Sequence, residues 1–319
     1  MPPRVLVLAG GLSYEREVSL RSGRRVLNAL RQEGLDVELR DVDAGLLHTL
    51  ETDTPDSVVI TLHGATGEGD ALRGVLDLVG VPYVGSAAHA ARVAWDKPTA
   101  KAVLAEAGIS TPDWAALPHD TFSELGAAAL LDRITARLGM PLMVKPAQGG
   151  SGLGAHVVRD ASQLPAAMVG CFAYGSTALI ERHVSGAEVA VSVIDFGDGP
   201  QALPAVEIVP HSGVYDYAAR YSAGQTTWHT PARLSESVAA DVARIAVQAH
   251  SALALRDLSR VDLIVEESGA VEVLEVNVAP GMTDTSLLPI ALQAAGMGLG
   301  EVLSRLVRRA VRRGATTPR

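Results

Sequence analysis

Three observations predict an α/β protein whose C-terminal part is α+β. Strand and helix signals alternate over the first ninety residues, a glycine-rich loop lies between two strands, and a strong β-hairpin is centred near residue 268. The first implies a parallel sheet, and the other two imply antiparallel sheets behind it. At ~100–200 residues per domain, 319 residues allow two or three domains. The expected divisions are residues 1–96, 97–185 and 186–319.

In chain order, RVLVL at residues 4–8 reads as a buried strand, broken by Gly10-Gly11, with a helix running to about Leu30. DVELRDV and SVVITLHG are the next strands, ALRGVLDLVG is helical, and VPYVGS is a short strand. The first domain closes near WDKPTAK, where Pro98 can open a helix, read over Thr99–Ala107. Strands follow in MPLMVKPA, AHVVRD and TALIERHV, with a helix between the last two. From Gly186 onward the pattern suits a mostly antiparallel sheet with interposed helices. The last helix, LGEVLSRLVRRAVRR, has an apolar stripe and a basic opposite face. It reads as a solvated surface helix; nucleic-acid or membrane binding is the weaker alternative.

A hydrophobic fraction of 48% and a charged fraction of 20% suit an ordinary globular core. With 27 Lys+Arg against 36 Asp+Glu, the net charge of -9 argues against a nucleic-acid surface over the whole protein. It leaves room for a local basic pocket for phosphates. The single Cys171 cannot form an internal disulfide and reads as structural, so the cytoplasm is the expected location. The N-terminus leads into a charged helix rather than a cleavage site. No run reaches ~18 apolar residues, so no membrane span is expected.

Chemistry concentrates first in the hairpin SRVDLIVEESGAVEVLEVN. With Ser268-Gly269 as a two-residue turn, Asp262 faces Glu275 and Arg260 faces Asn277. All four then point to one side, because strand side chains alternate. Two carboxylates directly opposite repel, and a cation between them removes that repulsion. Carboxylate and carboxamide oxygens suit Mg²⁺, which often takes one or two carboxylates plus substrate phosphates. The bland alternative is a polar strand facing solvent. A slip of one residue would dissolve the arrangement. The second concentration is VKPAQGGSGLGAHVV, residues 144–158, where glycines bring backbone N–H groups close to an anion and Lys145 adds a charge. It lacks the Gly-Lys-Ser/Thr ending of a Walker loop, and a strand rather than a helix follows it.

With these motifs, and with LIERHVSGAEVAV, RVDLIV and VLEVNVAPGM in order, the sequence resembles the ATP-grasp ligases. GGLSYEREVSLRSG, LHGATGEGD, DKPTAK, GVYDYAARY and NVAPGMTDTS narrow the resemblance to the D-alanine–D-alanine ligases, over nearly the whole chain. That resemblance implies an ATP-grasp fold with an N-terminal Rossmann-like domain and ATP between two antiparallel sheets. Lys97 and Lys145 match the lysines on its phosphates, with Gly150 and Ser151 in the loop. Glu181 matches the acid at adenine, and Glu188 the acid at the ribose. Asp262, Glu275 and Asn277 match the Mg²⁺ ligands, with Mn²⁺ a possible substitute and K⁺ a possible activator. Arg260 matches the arginine at the transferred phosphate.

Glu15 matches the holder of the first substrate's ammonium, and Ser151 and Tyr221 its partners in a network that closes the site. His63 matches a histidine beside the first substrate's carboxylate. Ser286 and the backbone at Leu287, reached after the break at Gly281, match the grip on the second carboxylate. Arg220 stands where the family carries lysine. HSGVYDYAARYSAGQTTWHT matches a mobile loop over the site. The implied partners are small molecules and a second copy in a homodimer, with no nucleic acid and no membrane.

The chain departs from the family at Gly67-Glu68-Gly69-Asp70, at Arg73 in place of glutamine, at Gly149 and Gly152, at Arg220 and at Val278. These touch the closing network and the edge of the amino-acid site, and leave the expected metal and ATP residues intact. Tyr221 favours an amine nucleophile, hence a dipeptide. Three readings stand: a ligase making D-alanyl-D-alanine for peptidoglycan precursors, a related ligase joining other amino acids, and an ATP-binding regulator without ligase activity.

Overall fold

The computed structural model describes residues 2–215, 217–222 and 224–315; the Tyr221 side chain lies outside the described set. The first layer holds β1 (Arg4–Ala9), α1 (Arg16–Gln32), β2 (Asp36–Asp41), α2 (Leu46–Thr52), β3 (Ser57–Ile60), α3 (Gly64–Glu68), α4 (Ala71–Leu78), β4 (Tyr83–Val84) and α5 (Ala88–Trp95). Its strands form a parallel sheet in the order β2-β1-β3-β4. Val5 to Ala9 are all buried, the near-continuous apolar run of a strand covered on both faces. On α1, Val18, Ser22, Val26 and Leu30 recur at helical spacing and are buried.

The middle of the chain holds α6 (Lys97–Glu106), β5 (Trp114–Pro118), α7 (His119–Leu125), α8 (Ala127–Leu138), β6 (Leu142–Pro146), β7 (His156–Val158), α9 (Leu164–Phe172) and β8 (Thr177–Arg182). Its strands form an antiparallel sheet, β5-β8-β6-β7. Pro98 does open α6, capped by Asp96, whose carboxylate accepts the Thr99 N–H at 3.0 Å.

The rest comprises β9 (Ala187–Ile194), β10 (Gln201–Ala202), β11 (Val206–Pro210), α10 (Tyr217–Tyr221), β12 (Thr226–His229), α11 (Glu236–Ala252), β13 (Leu258–Val265), β14 (Val271–Asn277), α12 (Leu287–Ala294) and α13 (Leu299–Arg313). An antiparallel sheet runs β12-β11-β9-β13-β14, with β10 on β9. The segment expected to be an irregular closing loop is thus partly regular, through α10 and β12.

The last helix keeps Arg305, Arg308 and Arg312 exposed, as expected of a surface helix, but not its whole basic face. The apolar stripe of α13, with Val302, Leu303, Leu306 and Val307, joins Val5, Val7, Val26 and Leu30 in one core. Its basic face is only partly solvated. Arg309 and Arg313 turn inward to the fully buried Asp257, at 3.6 and 2.9 Å, and Arg313 also donates to the Tyr83 carbonyl.

The hairpin also differs in detail. Glu266 N–H donates to the Ala270 carbonyl and Gly269 N–H to the Glu266 carbonyl, each at 2.9 Å, with Gly269 at φ 85. The turn therefore has three residues, Glu267 to Gly269, ending in the left-handed conformation glycine supplies. On its own this would place Asp262 opposite Leu274. An irregularity between Asp262 and Leu263 leaves Leu274 as an extra residue on β14. The two departures cancel, and Asp262 pairs with Glu275 and Arg260 with Asn277, as the sequence reading expected.

Candidate active site

Two clefts lie side by side, and the smaller is reached by residues that follow β1 and β3, where ligands gather in open α/β sheets. The larger, about 1150 Å³, lies between the two antiparallel sheets. Met143, Lys145, Val157 and Glu181 line it from one sheet, and Glu188, Asp262, Ile264, Leu274 and Glu275 from the other. The smaller, about 560 Å³, is walled by Glu15, His63, Glu68, Trp95, Ser151, Arg260, Asn277 and Gly281, among others. Lys97, Gly149, Gly150, Arg220 and Glu275 line both, so the clefts meet at a cationic junction.

The junction is built by local structure. Lys97, first residue of α6, donates to the Gly149 carbonyl at 2.6 Å and lies 3.4 Å from Glu275. On β13 Arg260 grips Asp262 through two bonds of 2.6 and 2.7 Å. Asn277 Oδ1 accepts the Ala279 N–H at 2.7 Å, which fixes the amide where the strand ends. Burial opposes ionisation of Glu275, but Lys97, Lys145, Arg220 and Arg260 outweigh it and hold the carboxyl down at about 2. Glu188, half-buried, is pushed up to about 7 by desolvation first, with Asp262 and Glu275 adding to it and Arg220 opposing. Arg220 lies over the Tyr215 ring, 4.3 Å from its centroid, and donates to the Tyr215 carbonyl.

In the larger cleft Glu181 is a hub. Its two oxygens take Lys101 and Lys145, each at 2.6 Å. Lys101 is a residue the sequence reading missed. It lies one helical turn after Lys97 on α6, and that i, i+4 spacing was the available signal.

In the smaller cleft Ser151 Oγ donates to Glu15 Oε1. Ser151 holds a left-handed φ of 55 in the glycine-rich loop. Burial first, then the charge of Arg260, hold the His63 imidazole down at about 4. Its Nε2 is buried with no hydrogen-bond partner among the described residues. Glu68, at the end of α3, is a second missed residue; burial first, then Glu15, pushes its carboxyl up to about 8. Its segment had drawn notice only as a departure from the family pattern.

Ser286 and Leu287 do not line either cleft. Ser286 Oγ accepts the Thr283 N–H at 3.0 Å inside its own turn. It sits directly behind Gly281, where a Cβ would stand 2.7 Å from the Ser286 hydroxyl and require that side chain to shift. Leu287 opens α12, whose first N–H groups have no partner within the helix. The loop is tied to α1 by Ser22 Oγ, which accepts the Met282 N–H, and by Arg25.

Residues 103–308 match the family model described as D-ala D-ala ligase C-terminus. The chain belongs to the D-alanine–D-alanine ligase family. A D-alanine–D-alanine ligase of Anaeromyxobacter sp. (strain K) is 40% identical over 296 residues, 93% of this chain and 92% of its own. Among solved structures, the D-alanine–D-alanine ligase of Bacillus anthracis complexed with ATP superposes with a TM-score of 0.80 at 28% identity, covering 97% of this chain and 98% of its own. The VanG D-Ala:D-Ser ligase of Enterococcus faecalis gives 0.82 at 26%, covering 97% and 100%.

A departure from the ligase family's usual residues also finds its surroundings here. Arg73 is fully buried, with no carboxylate in salt-bridge contact among the described residues. Its guanidinium donates to the carbonyls of Gly67 at 2.6 Å, Gly69 at 2.7 Å and Ser86 at 3.1 Å. It clasps the main chain on both sides of Glu68. Gly67 is required in the same turn, since a Cβ there would lie 2.0 Å from the Leu62 carbonyl oxygen.

Proposed function

We propose that the chain is an ATP-dependent ligase that joins two D-alanines into D-alanyl-D-alanine, with ADP and phosphate as co-products, for peptidoglycan precursors. The observation that carries this reading is the meeting of the two clefts at Lys97, Gly150, Arg220 and Glu275, beside the Arg260–Asp262 pair. One cleft suits a nucleotide, and the other is small, polar and lined by acids and two arginines. Groups bound in both would meet where positive charge is concentrated.

A carboxylate is a poor electrophile; phosphorylation makes it an acyl phosphate, which a second amine can attack. The first step asks for positioning and charge neutralisation. Lys97, Lys145 and Arg260 supply fixed positive charge at the junction. Asp262, Glu275 and Asn277 would hold Mg²⁺. The fit rests on hard oxygen groups, with Asp262 opposite Glu275 and Asn277 two residues further along β14, and with both carboxylates drawing cations even without the ion. When bound, the ion neutralises phosphate charge. Glu181 and Glu188 serve the nucleotide, Glu15 and Ser151 the first amino acid, and neutral His63 its carboxylate. Gly281, Ser286 and the N-terminus of α12 serve the second carboxylate. The Arg220–Tyr221 segment closes the site and keeps water from the acyl phosphate. The reading includes residues 1–96, 97–185 and 186–319 as its structural divisions, the cytoplasm as its location and a homodimer as its assembly.

The test is turnover. The protein is incubated with ATP, Mg²⁺ and single or paired D- and L-amino acids, including D-serine, with phosphate release and dipeptide mass as readouts. D-Alanine-dependent dipeptide is the expected result. Turnover only with another pair supports the related ligase, and ATP binding without turnover on any pair sinks both.

A further inference from the structure

Lys101 lines neither cleft, yet it is among the most deeply enclosed charged groups in the protein, with 1% of its surface exposed. Its ammonium stands 2.6 Å from Glu181 Oε1, and Lys145 stands 2.6 Å from Glu181 Oε2. Of the three side chains, Lys145 is the most open, at 13% against 2% for each of the others. Lys145 and Glu181 face the larger cleft, and Lys101 backs them from outside it. Lys101 is itself anchored. It donates to Thr111 Oγ1 at 2.5 Å, and that hydroxyl donates to the Val273 carbonyl at 2.8 Å. Val273 belongs to β14, two residues before Glu275.

A structural ion pair needs one acid and one cation. Here one buried carboxylate meets two ammonium groups, which leaves one net positive charge in the wall of the cleft. Burying the second ammonium has a desolvation cost that packing alone does not require. Burial opposes ionisation of Glu181, but Lys145 and Lys101 outweigh it and hold the carboxyl below the usual range. Burial draws Lys101 below the usual lysine range, with Glu181 opposing and Lys145 adding to it. Burial also acts against Lys145, and Glu181, then Glu275 and Asp262, more than offset it. Glu275 and Asp262 are in direct contact with Lys97 and Arg260. Glu181 is thus the one carboxylate in salt-bridge contact with Lys145 among the described residues. Without Lys101 that acid would balance Lys145 alone, and the pair facing the cleft would be neutral.

We propose that Lys101 is a positioning residue that frees the charge of Lys145 for the phosphates of the nucleotide. It balances Glu181 from behind, so the acid orients Lys145 without cancelling it. This rests on the nucleotide-binding part of the ligase reading and deepens it. A cation held in place before the ligand arrives needs no reorganisation when the phosphates enter. The anchor through Thr111 sets this charge at a fixed distance from the strand that carries Glu275.

The test compares two ligands, ADP and adenosine, by equilibrium titration in the presence of Mg²⁺. The ratio of their affinities isolates what the phosphates contribute. Lys101→Met is expected to lower that ratio at least about tenfold, with adenosine affinity within about twofold of the wild type. Lys101→Gln, which keeps a hydrogen-bond donor but no charge, is expected to do the same, and it carries the test should Lys101→Met not fold. Lys101→Arg keeps the charge and is expected to stay within about threefold of the wild type. Adding Glu181→Gln to either neutral variant removes the acid that would cancel Lys145, and the ratio is expected to return to within about threefold of the wild type. A cleft that had merely lost its shape would weaken both ligands alike, and loss of a second charged group would not restore it. An unchanged ratio in the neutral variants, equal weakening of both ligands, or no recovery in the double variant overturns the role of Lys101. So does a wild-type protein that binds ADP no more tightly than adenosine. The readout does not depend on turnover. A protein that shows the expected ratios but joins no amino acids overturns the ligase reading and leaves the role of Lys101 standing.

Discussion

Burial alone would favour a protonated Glu275, yet four cations around it hold its carboxyl at about 2. That excess of positive charge marks Glu275 as the residue through which the two clefts communicate. Removing it leaves Lys97 and Arg220 uncompensated and takes an oxygen from the expected Mg²⁺ set. Glu275→Ala is expected to lower Mg²⁺-dependent turnover by more than about 100-fold while circular dichroism stays that of the folded protein. Near-normal turnover would refute the metal role. At this scale much of the site was readable beforehand. Lys97, Lys145, Asp262 and Glu275 stand in or beside strands and loops whose pattern is strong. Glu68 was not, because nothing local distinguishes a glutamate that ends one short helix from a surface acid.

At the scale of elements, the hairpin shows how a correct pairing can come from two compensating departures. The turn is one residue longer than its Ser268-Gly269 pattern suggests, and β14 carries one residue more than β13 opposite it. The extra residue is not idle: Leu274 lines the larger cleft. Because the irregularity restores the register beyond it, the pairing at Glu275 is insulated from strain at the turn. Gly269→Val, at φ 85, is expected to lower stability by about 1–2 kcal/mol in urea unfolding while turnover stays within about twofold. A large loss of turnover with unchanged stability would contradict that insulation. Turn chemistry could be read from composition. The bulge could not, since nothing in the alternation of β14, which packs against α5, α6 and α11, marks the extra residue.

Across the whole molecule, the clefts exist because distant segments meet. Glu15 touches Ser151, Tyr14 packs edge-on against Tyr174 at 5.9 Å, and Lys97 reaches Gly149 and Glu275. Such convergence of charge is a burden on the ligand-free fold. The Glu68 carboxyl, ordinarily near 4.5, is raised to about 8, and Glu188 to about 7. Below about pH 4.5 each is protonated whether folded or unfolded. As pH rises toward about 8 the unfolded chain gives up these protons and the folded chain retains them, so the native state loses stability through that window. Glu275 has the opposite sign: its contribution is present above about 4.5 and is lost as pH falls through about 2. Ligand-free Glu68→Gln is therefore expected to melt at a higher temperature than the wild type near pH 8.5, and at the same temperature near pH 4.5. Equal melting at both would show that Glu68 ionises freely in the folded protein.

What the sequence determined by itself was local and periodic. It set the buried strands, the helix opened by Pro98, the alternation that puts Arg260, Asp262, Glu275 and Asn277 on one side, and the ordered motifs that carry the family resemblance. These follow from backbone geometry and side-chain period, which act over a few residues. Tertiary structure decided what depends on separate segments coming together. It brought α13 onto the first sheet, closed Lys101 and Lys145 on Glu181, withdrew Ser286 behind Gly281, and set Glu68 and Glu15 beside Gly150. The physical reason is that burial and Coulomb interaction depend on distance in space. Glu15, Glu68 and Gly150 are far apart along the chain and meet only in the folded molecule.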